Sequence, residues 1–508
     1  MRDDHAIEKQ ASDQLATARA RIAEVYDPNK LAEVGERVVD LLAAHQQQIQ
    51  AGKGNVLNWQ TPGELVDQAR DSLGTCSGKG ELLEQVTRLV HKSLDHGTNL
   101  HHPRYVGHQV PASIPLAALF DLIGSVTNQV MAIYEMGPWA TAVEHAVIQS
   151  VGGQLGFDPG SFSGLVTSGG SLANLTALLT ARNIALGDVW NKGLAGRKPP
   201  PVIVTHAESH YSVSRAAGAL GLGTEQIVRV GLDSKRRMDP GHLDDVLNYL
   251  RNREVPVIAV SAAACATPTG AFDPLDAIAE ICRQYGVWLH VDAAHGGATC
   301  FSERHRHLIA GIEKADSVVC DAHKMMFMPA LCAMIFYRDR QNCYATFHQD
   351  ATYLFDPSAP ELADYDSGLV NLECTKRAAA LGLWGIWSLF GSQLFADLVD
   401  VTFDLAAQFF EMLTAAEDFE VFCQPECNIV VFRHLPPQLQ AASDDKCDTF
   451  QLELRRRVIE SGEAYLVANQ IEGRSYLRTT VINPLTRSQD LADLITVLRK
   501  HAQPLLQA

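Results

Sequence analysis

From Gly164 onward this 508-residue chain alternates short apolar runs with helical stretches, and that rhythm constrains its fold more than any other feature. The clearest runs cover residues 202–205, 255–261, 287–291, 317–320 and 331–336, with helical patterns such as 274–285 between several of them. Runs that are apolar throughout, flanked by helices, predict a mostly parallel sheet covered on both faces, the α/β class. After Leu383 the rhythm changes. Helical patterns over 395–416, 449–461 and 488–501 flank strand signals near 419–422, 428–432 and 476–481, which predicts a small α+β domain. Upstream, residues 11–50 carry helical apolar spacing through Leu15, Ile22, Val25, Leu31, Val38, Leu41 and Leu42, broken at Gly52 and Gly54. On its own terms this is an amphipathic hairpin.

Two of the strand runs end on chemistry. His290-Val291-Asp292-Ala293-Ala294-His295-Gly296-Gly297 closes one run on an acid and then on small residues, and Asp321-Ala322-His323-Lys324 closes another on a lysine. Groups at the C-terminal ends of parallel strands reach a ligand in the crevice of the sheet. Asp292 alone could cap a helix, and Lys324 alone could be a solvated surface lysine. Together they suit pyridoxal phosphate, which needs a lysine to hold its aldehyde as a Schiff base and an acid to keep its ring nitrogen protonated. Thr167-Ser168-Gly169-Gly170-Ser171-Leu172-Ala173-Asn174 supplies a Gly-rich turn between a strand and a helix, where free N–H groups meet a phosphate.

With these motifs and with His206-Ala207-Glu208-Ser209-His210-Tyr211-Ser212, Thr269-Gly270-Ala271-Phe272-Asp273-Pro274 and Thr352-Tyr353-Leu354, the chain resembles the group II pyridoxal phosphate-dependent amino acid decarboxylases. That family contains glutamate, cysteine sulfinate, aromatic amino acid and 2,4-diaminobutyrate decarboxylases. The likeness runs from about His102 to the C-terminal helices. It implies the fold type I architecture of these transferases: an N-terminal helical dimerisation segment over 1–100, a large cofactor-binding domain over 101–385 and a small C-terminal domain over 386–508. It implies a homodimer with shared active sites. Gly170, Ser171 and His323 are implied to hold the cofactor phosphate, His210 to stack on its ring, and Ala294 to line it beside Asp292. Tyr353, in a long segment without clear periodicity, is implied to protonate the carbon that CO2 leaves. Arg478, in Tyr476-Leu477-Arg478-Thr479, is implied to hold the substrate α-carboxylate with its bidentate fork, with His108 on the substrate side. The catalytic set is thus Lys324, Asp292, His210 and Tyr353. Asp273 is expected to cap the helix that begins just after it.

The chain also departs from the family pattern. Cys265-Ala266-Thr267 stands where many members have Gly-Thr-Thr, His295 replaces a common tyrosine, and Gly107-His108 stands where the glutamate-type members have Asn-Gln. The first two changes bear on tuning of the cofactor, the last on recognition of an acidic side chain.

A net charge of −17 argues against nucleic acid or an anionic membrane as partner. The first residues lack the apolar core of a signal peptide, and no uncharged apolar run approaches the ~18 residues of a bilayer span, so a cytoplasmic enzyme is expected. Eleven scattered cysteines form no framework, and neither they nor His101-His102 and His305-Arg306-His307 have metal-ligand spacing, so reduced thiols and no metal are expected. The expected reaction is decarboxylation of a polar L-amino acid: glutamate, aspartate, cysteine sulfinate or 2,4-diaminobutyrate. An aromatic substrate, an aldehyde-forming outcome and an inactive homologue serving as a binding subunit stay open at this point.

Overall fold

The computed structural model describes residues 2–74, 80–347 and 360–507. They fall into two compact units, Met1–Arg104 with Val458–Tyr465, and Tyr105–Arg457 with Leu466–Ala508.

The first unit is helical: α1 (Arg2–Val25), α2 (Pro28–Gln50), α3 (Pro62–Ser72) and α4 (Leu82–Asp95). The periodic stretch expected over 11–50 is two helices, because Asp27 and Pro28 interrupt it. Asp27 accepts the Asn29 N–H at 2.9 Å, and Pro28, which has no N–H to donate, opens α2. Thr61 and Glu64 cap α3 reciprocally, side chain to backbone in both directions. Along α1, Leu15, Ile22 and Val25 stay exposed.

The second unit holds the strands. In chain order they are β1 (Val130–Met131), β2 (Ser163–Thr167), β3 (Val202–His206), β4 (Ile227–Val230), β5 (Val257–Ala263), β6 (Trp288–Asp292), β7 (Ser317–Asp321), β8 (Ala333–Tyr337), β9 (Lys376–Arg377), β10 (Phe419–Val421), β11 (Ile429–His434), β12 (Val467–Ile471) and β13 (Arg474–Thr480). A seven-stranded sheet has the order β2-β8-β7-β6-β5-β3-β4. The pairs from β7 through β4 are parallel, and β8 runs antiparallel to both its neighbours. Every residue of β3, β7 and β8 is buried, which is why their sequences are nearly continuous apolar runs. The helix Gly170–Leu186 packs Leu178 and Leu179 against Ile203 of β3 and Ile258 of β5. A four-stranded antiparallel sheet, β10-β11-β13-β12, lies in the same unit, with the helices Gln393–Thr414 and Ser488–Gln507.

At the edge of the large sheet, Val166 in β2 turns its N–H and C=O away from β8, and both are satisfied by one buried ion pair. Glu144 accepts the Val166 N–H at 3.1 Å, Lys376 donates to the Val166 carbonyl at 2.7 Å, and the two side chains bind each other. The pair is 3% and 5% exposed, so each charge depends on the other. It fixes the strand that leads straight into the Gly169-Gly170 turn. Removing one partner of a buried pair costs about 3–5 kcal/mol. Lys376→Met should therefore lower the urea unfolding midpoint of the full chain markedly, and Lys376→Met with Glu144→Gln should recover part of the loss. A single variant with an unchanged midpoint would show that solvent already relieves the pair.

Candidate active site

The parallel strands β5, β6 and β7 end side by side, and the residues at and just beyond their C-terminal ends line one cavity of about 310 Å³. Asp292 is the last residue of β6, and Asp321 is the last of β7. Lys324 lies one turn beyond Asp321, its backbone N–H donating to the Asp321 carbonyl at 3.1 Å. The cavity wall includes Lys324, Asp292, His210, Ala294, His323, Gly170 and Ser171. Sequence reading put these seven residues at one site, and the fold brings all seven together.

Their local geometry explains the residue types. Asp292 accepts the Ala294 N–H at 3.1 Å through Oδ1 and the Asn174 side-chain amide at 2.7 Å through Oδ2, which fixes the plane of its carboxylate. Lys324 Nζ lies 3.3 Å from Asp321 Oδ2. Burial, more than any other cause, raises the Asp321 carboxyl above its usual range, against the pull of Lys324. His323 sits against the same acid, Nε2 at 3.6 Å, with Nδ1 against the Cys332 backbone. His210 opens the helix Tyr211–Ala219, where its Nδ1 accepts the Ser212 N–H at 3.3 Å. Burial lowers its pKa, so the ring is neutral near pH 7, opposed only in part by Asp292.

Residues of the small sheet stand behind this wall. Arg478 on β13 is buried, and its Nε and Nη2 have no hydrogen-bond partner among the described residues. Its charge acts on two cavity residues, Cys265 and His295. Burial drives His295 down to about 3, so it is neutral, and its Nε2 donates to Asn428 Oδ1 at 2.8 Å. His108 is likewise lowered by burial first and by Arg478 and Arg455 next. Cys265 Sγ lies 3.5 Å from Cys427 Sγ, and the ten described cysteines are all free.

The arrangement fits pyridoxal phosphate. The helix Gly170–Leu186 begins at Gly169 (φ 120°) with no side chain on its first N–H groups, a free anion seat. A Cβ on Gly170 would come within 2.8 Å of Asp321 Oδ2, so the close approach requires glycine. Asp292 at the end of β6 and Lys324 just beyond the end of β7 line the cavity, a carboxylate for a ring nitrogen and an amine for an aldehyde.

Comparison with known proteins decides the family. The sequence model of the pyridoxal-dependent decarboxylase conserved domain matches residues 67–435. The chain belongs to the pyridoxal-dependent decarboxylases. It is 31% identical over 461 residues to cysteine sulfinic acid decarboxylase of Rattus norvegicus, covering 89% of this chain and 92% of the relative. It is 30% identical over 455 residues to the acidic amino acid decarboxylase GADL1 of Mus musculus, covering 87% and 80%. The crystal structure of mouse CSAD superposes with a TM-score of 0.85 at 28% identity, covering 94% of this chain and 99% of that one. This decarboxylase is thus a carboxy-lyase of amino acids with fold type I architecture, and its cofactor is pyridoxal 5'-phosphate.

Two residues that sequence reading passed over belong to the site. Asp321 and Asn174 both stood inside the quoted motifs without a role. Asp321 could have been found from the register, since it ends the strand next to that of Asp292. One structural expectation is corrected. Asp273 does not cap the helix Leu275–Tyr285; its two oxygens accept the backbone N–H groups of Met238 and Ala263, each at 2.7 Å, so it ties β5 to a neighbouring turn. Tyr353 lies outside the described residues.

Gly170 offers a direct test of the cradle. Gly170→Ala puts a methyl against both Asp321 oxygens, an overpacking of about 1–3 kcal/mol. The decarboxylase should keep its fold by circular dichroism yet retain roughly tenfold less cofactor at equal free concentration. Undiminished loading would mean that Asp321 moves freely and does not shape the seat.

Proposed function

We propose that this decarboxylase acts on a small acidic L-amino acid, with cysteine sulfinate, aspartate and glutamate as the substrates to try first. The observation that carries the amino acid reading is Arg478, a buried guanidinium behind the cavity wall whose Nε and Nη2 hydrogens are unspent among the described residues, a seat for the substrate α-carboxylate. A buried charge without a partner is costly, and a substrate carboxylate satisfies it with two parallel hydrogen bonds. The names of the two relatives at 31% and 30% identity, one a cysteine sulfinic acid and one an acidic amino acid decarboxylase, support the acidic class.

Bound pyridoxal phosphate supplies an aldehyde for the substrate amine and a ring that takes up the electron pair released with CO2. The chain does the rest. The uncapped helix start at Gly170 and Ser171 seats the phosphate, with His323 alongside. Lys324 is the amine that holds the cofactor, and Asp321 keeps its Nζ directed into the cavity. Asp292 presents a carboxylate of fixed plane to the ring nitrogen. His210, neutral, covers one face of the ring and excludes water, with Ala294 lining it beside Asp292. Arg478 orients the substrate, and His108, also neutral, adds no competing charge beside it. Tyr353, on the sequence match alone, returns a proton to Cα.

We place the protein in the cytoplasm as a homodimer. Free thiols throughout the described cysteines support a reducing compartment, and among the described residues no helix is long and apolar enough to cross a membrane. The helix Pro115–Thr127 leaves Leu116, Leu119, Leu122, Ile123 and Val126 exposed, and α1 does the same with its apolar positions, the surfaces a second copy would cover.

Release of CO2 should be fastest from cysteine sulfinate, aspartate or glutamate in a panel that includes 2,4-diaminobutyrate, tyrosine and tryptophan. Arg478→Met should reduce kcat/KM on the best substrate about 10- to 100-fold, as loss of hydrogen bonds to a charged group implies. A preference for aromatic amino acids would overturn the acidic assignment, and an Arg478→Met enzyme with wild-type kcat/KM would remove Arg478 from the α-carboxylate.

Tyr353→Phe keeps the ring and removes only the donated proton. It should still consume substrate, with amine formation sharply reduced relative to CO2 and aldehyde appearing when oxygen is present. Equal yields of amine and CO2 in that variant would transfer the proton to another group, His210 first.

A further inference from the structure

Beneath the cavity, polar side chains from β6, β7 and two helices form a chain of hydrogen bonds whose direction is fixed at both ends. Trp288 Nε1 donates to Ser317 Oγ at 2.9 Å, and Ser317 Oγ lies 2.9 Å from His290 Nδ1. His290 Nε2 lies 3.0 Å from Asn174 Oδ1. The Asn174 amide nitrogen reaches both Asp292 Oδ2, at 2.7 Å, and Ser212 Oγ, at 2.8 Å. Ser212 Oγ is 2.8 Å from His210 Nδ1. His290, Asn174, Ser212 and Ser317 are all at most 1% exposed, so no solvent can substitute for a missing partner.

Donor and acceptor roles are set by elimination. The Asp292 carboxylate only accepts, so the Asn174 NH2 must face it and Asn174 Oδ1 must face His290. His290 Nε2 then carries the hydrogen. In the neutral ring, which its burial favours by lowering the pKa to about 4, Nδ1 is an acceptor. Ser317 therefore gives its hydroxyl hydrogen to His290 Nδ1 while accepting that of the indole, which can only donate. On the other branch, Ser212 Oγ accepts the second Asn174 hydrogen and spends its own on His210 Nδ1. The Ser212 backbone N–H points at that same nitrogen, so the hydrogen of neutral His210 sits on Nε2.

We propose that Asn174 is a positioning residue for the decarboxylation, its one amide group coupling Asp292 to His210 and fixing both His210 and His290 in the Nε2–H form. Asn174 lines the cavity between these residues, and among the described residues no other side chain touches both branches of the network. The inference rests on the assignment of Asp292 and His210 to the cofactor ring made above. It adds that their orientation has one common origin, placed on the first helix turns after the phosphate seat. A cofactor bound through its phosphate at Gly170 and through its ring at Asp292 would thus touch a helix start and a strand end that Asn174 joins.

The test is nitrogen NMR of the full-length protein labelled with 15N-histidine, before and after removal of the cofactor, with His210→Phe and His290→Phe to assign the signals. Both rings should show a hydrogen on Nε2 and a bare Nδ1 in the cofactor-free chain. Asn174→Asp, nearly the same shape, replaces the donating amide with a second acceptor. Ser212 then turns its hydroxyl to the introduced carboxylate, His210 gains an Nδ1–H population, and affinity for pyridoxal phosphate falls at least about tenfold by fluorescence titration. A hydrogen on Nδ1 of either ring in the wild-type chain overturns the proposal, whether or not the variant folds. So does an Asn174→Asp chain with wild-type affinity and an unchanged His210 signal. The cofactor-free spectrum decides the relay; the shift of His210 on loading decides whether the ring stacks there, so the two readings fail separately.

Discussion

Parallel pairing of β6 with β7 is the constraint on which the active site depends. Side chains at the C-terminal ends of parallel strands are close because the backbones are, and the pairing of Asp292 with Val319 brings the acid that ends β6 beside the strand that delivers Asp321 and Lys324. An antiparallel partner would have sent the second set to the opposite edge. β8 shows the contrast: it runs the other way, and its contribution is a buried floor of Ala333 to Tyr337. Two carboxylates and an ammonium thus share one enclosed edge. Desolvation raises the Asp321 carboxyl, and Asp292 accepts two N–H donors. The acids look alike in sequence and differ in their partners.

Much of this was legible in the residues, for physical reasons that also mark the limit. Strands β3, β5, β6, β7 and β8 lie inside the sheet under helices or loops, so burial forces an apolar run that composition displays openly. β12 was not anticipated. Its Val467-Ala468-Asn469-Gln470-Ile471 is largely solvated in the middle and is held by backbone pairing to β13, which leaves little trace in side-chain type. Lys324, Asp292, His210 and Gly170 were recognisable because each sits at an element end, where the chemistry of a residue is unmatched to its neighbours. Asn174 was not, because a buried asparagine inside a helix announces nothing until its three partners from β6 and the His210 turn are in place.

Asp273 shows the same limit from the other side. An aspartate before Pro-Leu at a helix start has the local chemistry of a cap, and helix Leu275–Tyr285 does begin there. The backbone amides of Met238 and Ala263, remote or strand-bound, are stronger claimants because they are buried and would otherwise go unsatisfied. A local rule yields where a distant donor has no alternative. The departure at His295 reads similarly: it is a neutral side chain spent on Asn428, so it brings no added charge to the cofactor edge.

The ion pair at the sheet edge has a consequence for descent. Glu144 and Lys376 are 232 positions apart, yet each serves the same residue, Val166, and each neutralises the other. A lineage that lost one would carry a stranded charge inside the protein until the second changed too, and an intermediate of that kind is selected against. The two codons are therefore inherited as though linked. Among homologous chains they should either both be retained or both be replaced by uncharged residues, a pattern of paired substitution with no chemistry of the active site in it.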